Sequence, residues 1–184
     1  YLSSGTRIYN LSVNERIPCA TIHMSTWAAK IDQLIFDRDV LFVISVGNIH
    51  RQAVSQALQS GIAYPDYLLQ NDARIANPAQ SSFGITVGSI CEGHYQDDYQ
   101  ESFGNVGEIS AFSRSGLGMW GAIKPDVVEY GGDLVRERNG QHILVSSKTE
   151  CCPELISSTY DGNNSLTNKD MVGTSFSAPR VSHI

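Results

Sequence analysis

The chain has 184 residues, 41% hydrophobic and 17% charged. That balance belongs to a globular domain burying roughly 70% of its unfolded surface, and it excludes a disordered segment. Thirteen basic against nineteen acidic residues leave a net charge of −6, without the cation excess that nucleic acid or an anionic membrane requires. Neither is expected as a partner.

In chain order, residues 7–13 alternate apolar and polar side chains, which predicts a strand. Residues 25–38 follow as a helix. Ser25 or Thr26 can cap it, and Trp27, Ile31, Leu34 and Ile35 share one face. Residues 40–46 form a nearly continuous apolar run broken by Ser45, the pattern of a strand covered on both faces and far short of the ~20 residues of a membrane span. Strand, helix and buried strand in succession make a βαβ unit, right-handed by the general rule. Residues 51–60 carry a weaker helical pattern (Ala53, Val54, Ala57, Leu58), with Gly61 placed to end it.

Residues 62–82, with Pro65 and Pro78, and residues 91–108 are polar and irregular and are expected as surface loops flanking a strand at 85–90. Short apolar pieces at 109–112 and 127–128 and a strand at 142–147 come next. Residues 150–170 are expected as a loop, with Pro153 and Asp161-Gly162-Asn163-Asn164 as turn material. No repeat, low-complexity tract or linker divides the chain, so residues 1–184 are expected to form one unit of a layered α/β fold. An opening near a strand and a stop a few residues into a helix are expected of a piece of a longer domain. No basic, apolar leader is visible, and location stays open.

Several patterns carry little chemistry. Gly116-Leu117-Gly118-Met119-Trp120-Gly121 has dinucleotide-loop spacing, but Pro125 stands where the following helix should run, so a glycine-rich surface loop is expected. Asn10-Leu11-Ser12 and Asn163-Asn164-Ser165 fit the glycosylation triplet. The first is discounted as part of a buried strand. Cys19, Cys91, Cys151 and Cys152 allow three pairings and lack zinc spacing, so they are expected as ordinary thiols.

Two segments carry more. In Gly173-Thr174-Ser175-Phe176-Ser177-Ala178-Pro179, a serine at a helix start gains unpaired backbone N–H groups and the positive end of the helix dipole, which can stabilise an oxyanion. Gly173 permits close approach, and Pro179 places the helix start nearby. The plain alternative is an ordinary Ser/Thr cap. In Val43-Ile44-Ser45-Val46-Gly47-Asn48, a buried strand delivers an asparagine to its carboxyl end, where open α/β sheets place their sites. Its amide can donate to a developing anion; the plain alternative is a turn asparagine.

These segments, with Ile8-Tyr9-Asn10-Leu11-Ser12-Val13, Ile85-Thr86-Val87-Gly88-Ser89, Phe112-Ser113-Arg114-Ser115-Gly116 and Ile123-Lys124-Pro125-Asp126-Val127-Val128, resemble the subtilisin-like serine peptidases in that family's own order. The resemblance implies a three-layer α/β fold with a mostly parallel central sheet, incomplete on its N-terminal side. Residues 1–184 would be the C-terminal portion of a single peptidase domain. It further implies Ser175 as nucleophile and an oxyanion hole made by the Ser175 N–H and the Asn48 amide. Leu11, Ser12 and Val13, with Ser45, Val46 and Gly47, would bound the first specificity pocket and pair with a peptide or protein substrate as an added strand.

The family's triad runs Asp, His, Ser in chain order, and nothing here matches its aspartate or histidine motif. His23, His50, His94, His142 and His183 all lack the family's His-Gly-Thr setting, and His50 is the only improvised base. The chain is therefore expected to be inactive alone and part of an endopeptidase acting through an acyl-enzyme. The alternative is a peptide-binding pseudo-peptidase. No cofactor is expected. Subtilases often bind calcium, but no EF-hand pattern assigns a site here. A half-sheet with an open edge could also dimerise as an isolated piece.

Overall fold

The strand core explains itself through what covers it. In the computed structural model, which describes residues 5–138, 144–145, 155–160 and 166–184, the elements run in this order: β1 (Ile8–Leu11), α1 (Thr26–Arg38), β2 (Leu41–Ser45), α2 (Arg51–Gln59), β3 (Ile85–Ile90), β4 (Gln100–Ser102), β5 (Gly116–Leu117), β6 (Ile123–Lys124), β7 (Val127–Tyr130), β8 (Val135–Glu137), β9 (Leu144–Val145), β10 (Leu155–Tyr160), β11 (Leu166–Met171) and α3 (Thr174–His183). Strands β1-β2-β3-β7 form one sheet in that order, every pair parallel. Phe42, Ile44 and Val46 face α1 and pack with Ile31, Trp27 and Leu34. The alternate residue Val43, with Val87 of β3, packs against Ala178 and Val181 of α3. Both faces of β2 are covered, so its sequence is apolar throughout rather than alternating. Helix, sheet and helix make the three layers. Each fully buried Ile or Val contributes about 1.5–3 kcal/mol to holding them together.

Helix α1 starts where the sequence predicts: the Ser25 Oγ accepts from the Ala28 N–H at 3.1 Å. It ends at Asp39, in the left-handed region with φ 49°. Helix α2 follows β2 after five residues and packs on a second core through Val54 and Leu58, with Tyr67, Phe103, Phe112 and Leu134. The β2–α2 connection therefore lies at the carboxyl end of a parallel strand, and Asn48 sits within it.

Several expectations are corrected. Residues 62–82 are no surface loop: Tyr67, Leu68, Ala73, Ile75, Ala76 and Ala79 are buried. Asp66, Gln70, Asn71 and Asp72 stay exposed, but Gln80 and Ser81 are buried because they bond to other segments. The Gln80 Nε2 donates to the carbonyls of Ala20 and His23, and Ser81 Oγ donates to Asp32 Oδ1 at 2.5 Å. Residues 91–108 contain β4, which pairs antiparallel with β8. Within 150–170, β10 and most of β11 form an antiparallel pair. Among the described residues β1 and β7 are the sheet's two end strands, and Asn10 is exposed rather than buried. The 116–121 glycine run enters a hairpin in which β5 pairs with β6, and no helix follows it. Cys19 and Cys91 are free and buried. The second glycosylation triplet, Cys151 and Cys152 lie outside the described residues. Among the described residues no cluster of His, Cys, Asp or Glu could hold a metal ion, and no helix is long and apolar enough to cross a membrane.

Lys124 and Asp126 pin the start of β7 to β3. The Asp126 carboxylate accepts from the Thr86 N–H at 2.8 Å and from Thr86 Oγ1 at 2.6 Å, and pairs with Lys124 Nζ at 2.8 Å. Burial pushes this acid up, but the bonds from Lys124 and Thr86 outweigh it and hold it below the usual carboxylate range. A depressed folded-state value means the contribution is complete above the ordinary carboxylate pKa and disappears as pH falls through the lowered one.

Candidate active site

Two chain segments 126 residues apart meet at the start of α3. The Asn48 Oδ1 accepts from both the Thr174 N–H and the Thr174 Oγ1, each at 3.0 Å. This bond satisfies one of the helix's orphan donors with a side chain from another element, in place of a local cap. It also fixes the amide: with the oxygen committed to Thr174, the Nδ2 end is left to donate elsewhere. Among the described residues, neither Asn48 Nδ2 nor the Ser175 N–H has an acceptor. Both lie within 3.7 Å of a single point, the position that a Cβ on Gly173 would occupy. That Cβ would stand 3.1 Å from Asn48 Nδ2, so glycine at 173 is what lets the two segments approach.

The Ser175 hydroxyl is half-buried and donates weakly to the Ser12 carbonyl at 3.4 Å. The reciprocal contact, Ser12 Oγ to the Ser175 carbonyl at 3.4 Å, has a covalent cause. Pro179, four residues on and inside α3, has no N–H to offer that carbonyl. The proline thus sits in the second turn, later than a helix-start position, and the carbonyl it frees ties α3 to β1's continuation.

Ser175, Asn48 and Ser12 line one cleft of about 760 Å³, together with Asn14, Glu15, Arg16, His50, Arg51, Val172 and others. Of the remaining sequence-predicted pocket residues, Leu11 and Val46 pack toward α1. Ser45 is buried and exchanges bonds with Asn14: its Oγ donates to Asn14 Oδ1, and Asn14 Nδ2 donates to its carbonyl, both at 2.6 Å. Val13 is exposed, and Gly47 turns the chain with φ 93°. None of these five lines the cleft. Asn14, Glu15 and Arg16 were not anticipated. They follow the strand in a stretch with no periodicity, and only the tertiary arrangement brings them to the cleft.

His50 caps α2, and its Nδ1 accepts from the Gln52 N–H at 3.3 Å. In the neutral ring, an Nδ1 that accepts puts the proton on Nε2, so neither nitrogen has a lone pair for a hydroxyl proton. His94 Nδ1 is engaged by the Gly104 carbonyl and Ser102 Oγ, at 3.0 and 3.1 Å. His142 lies outside the described residues.

Gly131, just past β7, supports α3 from below. Its carbonyl accepts from the Gly173 N–H at 2.9 Å. A Cβ there would lie well inside contact distance of Ser89 Oγ and Ser177 Oγ and 2.8 Å from the Gly173 carbonyl. We expect Gly131→Ala to destabilise the fold by about 1–3 kcal/mol through overpacking, read as a lowered urea midpoint with an unchanged slope. An unchanged midpoint would show that this junction yields freely.

The layered α/β architecture brings a serine at a helix start and an amide donor to one cleft, an arrangement able to stabilise an anion. The subtilase family model, Peptidase_S8, matches residues 2–184, and the chain belongs to that family of serine peptidases. An uncharacterised protein of Sinorhizobium fredii, y4bN, is 34% identical over 172 residues, covering 86% of this chain and 38% of its own length. The chain thus spans well under half of that relative. The protease domain of PatA is similar at 17% identity with a TM-score of 0.46, covering 97% of this chain and 42% of that one.

Proposed function

We propose that this chain is the nucleophile-bearing portion of a subtilisin-like endopeptidase that cleaves peptide bonds through an acyl-enzyme on Ser175. The observation that carries the proposal is the meeting of Asn48 and the α3 start: two free N–H donors close to one point, beside a serine hydroxyl, on an open cleft. Attack by Ser175 Oγ on a substrate carbonyl would place the developing oxyanion between the Ser175 N–H and Asn48 Nδ2, where fixed donors stabilise charge without reorganising. As the family resemblance implies, the backbone of residues 11–13 and 45–47 would flank the substrate as neighbouring strands, with Ser12 the one of these six that lines the cleft itself. The aspartate and histidine would come from residues outside these 184, since the base must reach the hydroxyl proton and the one histidine lining the cleft among the described residues, His50, commits its Nδ1 to the Gln52 N–H. The isolated piece would pair along the open β1 edge as a dimer, which light scattering at increasing concentration tests; a clean monomer throughout rejects that pairing.

The experiment is active-site labelling. The longer protein is treated with a fluorophosphonate probe, digested and mapped by mass spectrometry. Adduct on Ser175, lost in Ser175→Ala, is expected. Adduct absent from Ser175 in a protein carrying an intact upstream aspartate and histidine would reject the assignment and favour a peptide-binding module without catalysis.

A further inference from the structure

The cleft's oxyanion side is built around an arginine that touches no reacting atom. Arg114 is 3% exposed, and its guanidinium spends its donors on main-chain carbonyls of three separate segments. Nε donates to the Asn48 carbonyl at 3.2 Å; Nη1 donates to the Asp72 and Arg74 carbonyls, both at 2.8 Å; Nη2 donates to the Arg16 carbonyl at 2.8 Å. Its own N–H donates to the Gly47 carbonyl at 3.2 Å, and the Ile49 N–H donates to the Phe112 carbonyl at 2.7 Å. Asn48 is thereby bracketed on both sides and held through its own carbonyl. The side chain can pass because residue 47 is glycine: a Cβ there would lie 3.2 Å from Arg114 Cδ.

A planar fork with five fixed N–H directions suits this job, and an ammonium does not. Burial alone pushes the Arg114 pKa down, yet an arginine stays charged in proteins. Convergent carbonyl dipoles are the compensation that burial demands. The β2–α2 connection is irregular chain with one β-bridge, Asn48 to Ser113, and irregular connections have the least local protection. An oxyanion donor must be held to within about 0.5 Å to act before the charge develops.

Resting on the proposed oxyanion role of Asn48, we infer that Arg114 is a positioning residue for catalysis. It fixes the Asn48 backbone so that the amide is in place when the tetrahedral intermediate forms, and through Arg16 it couples that loop to the rim of the substrate cleft.

The test is a double-mutant cycle in the longer protein, with kcat and KM measured on one peptide substrate. Arg114→Lys keeps the charge but cannot reproduce the four-carbonyl fork. It is expected to lower kcat about tenfold while KM changes less than twofold, because the lost interaction matters only in the transition state. In an Asn48→Ala background the same substitution is expected to cost under twofold, since residues acting through one another are not additive. Arg114→Gln, planar and neutral, is run beside it in case the lysine is not accommodated; circular dichroism and melting confirm folding of each. An equal factor in both backgrounds, or a wild-type kcat in a folded variant, overturns the inference. The two readings fail separately: a near-neutral Asn48→Ala rejects the oxyanion assignment itself, whereas a damaging Asn48→Ala with additive Arg114 variants rejects only the positioning role.

Discussion

The 184-residue chain alone is expected to hydrolyse a casein-type substrate about 10⁶-fold more slowly than a longer protein that carries the family's aspartate and histidine. The magnitude is carried over from subtilisin, where removing the histidine alone costs nearly as much as removing the whole triad. The physical reason applies here directly. A serine hydroxyl is a poor nucleophile at neutral pH unless a base takes its proton as the bond forms. His50, which lines the cleft, commits its Nδ1 lone pair to the Gln52 N–H, and His183 closes α3 eight residues past Ser175, roughly 12 Å along the helix axis. The fixed donors at Asn48 and Ser175 would still favour the oxyanion. A residual ~10³–10⁴-fold over water is therefore the ceiling for the short chain. Initial rates on both proteins at equal concentration check this. Rapid labelling of Ser175 in the short chain would overturn it, because it would demand a base among these residues.

The parts of this molecule legible in its sequence are those whose cause is local. Residues 25–38 have a cap and a helical period, and α1 forms with Ser25 as its cap. Residues 40–46 are apolar on both alternating sets, and β2 is covered on both faces. Polarity misleads where the polar groups serve the interior. Gln80, Ser81 and Arg114 look like loop residues, yet all three are buried, bonded to main chain or to a distant carboxylate. Strands β10 (LISSTY) and β11 (LTNKDM) are rich in polar residues and flank a run of turn residues in the sequence, so no apolar pattern marks them. At the site, Ser175 and Asn48 stand in recognisable motifs. The Thr174 bond that orients the amide and the Arg114 fork that holds its backbone span 126 and 66 positions. No periodicity or spacing encodes contacts of that range.

Asn48→Ala in the longer protein is expected to lower kcat by about 10²–10³ with little change in KM, the loss known for the corresponding donor in subtilisin. The substrate's carbonyl oxygen is weakly basic and gains little from a hydrogen bond. The tetrahedral oxyanion carries a full charge and gains far more, so the interaction acts on the transition state. Alanine also removes the acceptor for Thr174. A bond of that kind contributes about 1 kcal/mol net, so part of any loss could reflect a loosened α3. Asn48→Asp separates the two causes. An aspartate can still accept from the Thr174 N–H and hydroxyl, but it offers no donor and sets a negative charge beside the developing anion. If the tether to α3 were what mattered, the aspartate variant would stay near wild type while alanine suffered. If Nδ2 is the oxyanion donor, aspartate is at least as damaging as alanine, with both variants folded and binding substrate normally. A loss below threefold in Asn48→Ala would remove Asn48 from the oxyanion hole and leave the Ser175 N–H to act there without it.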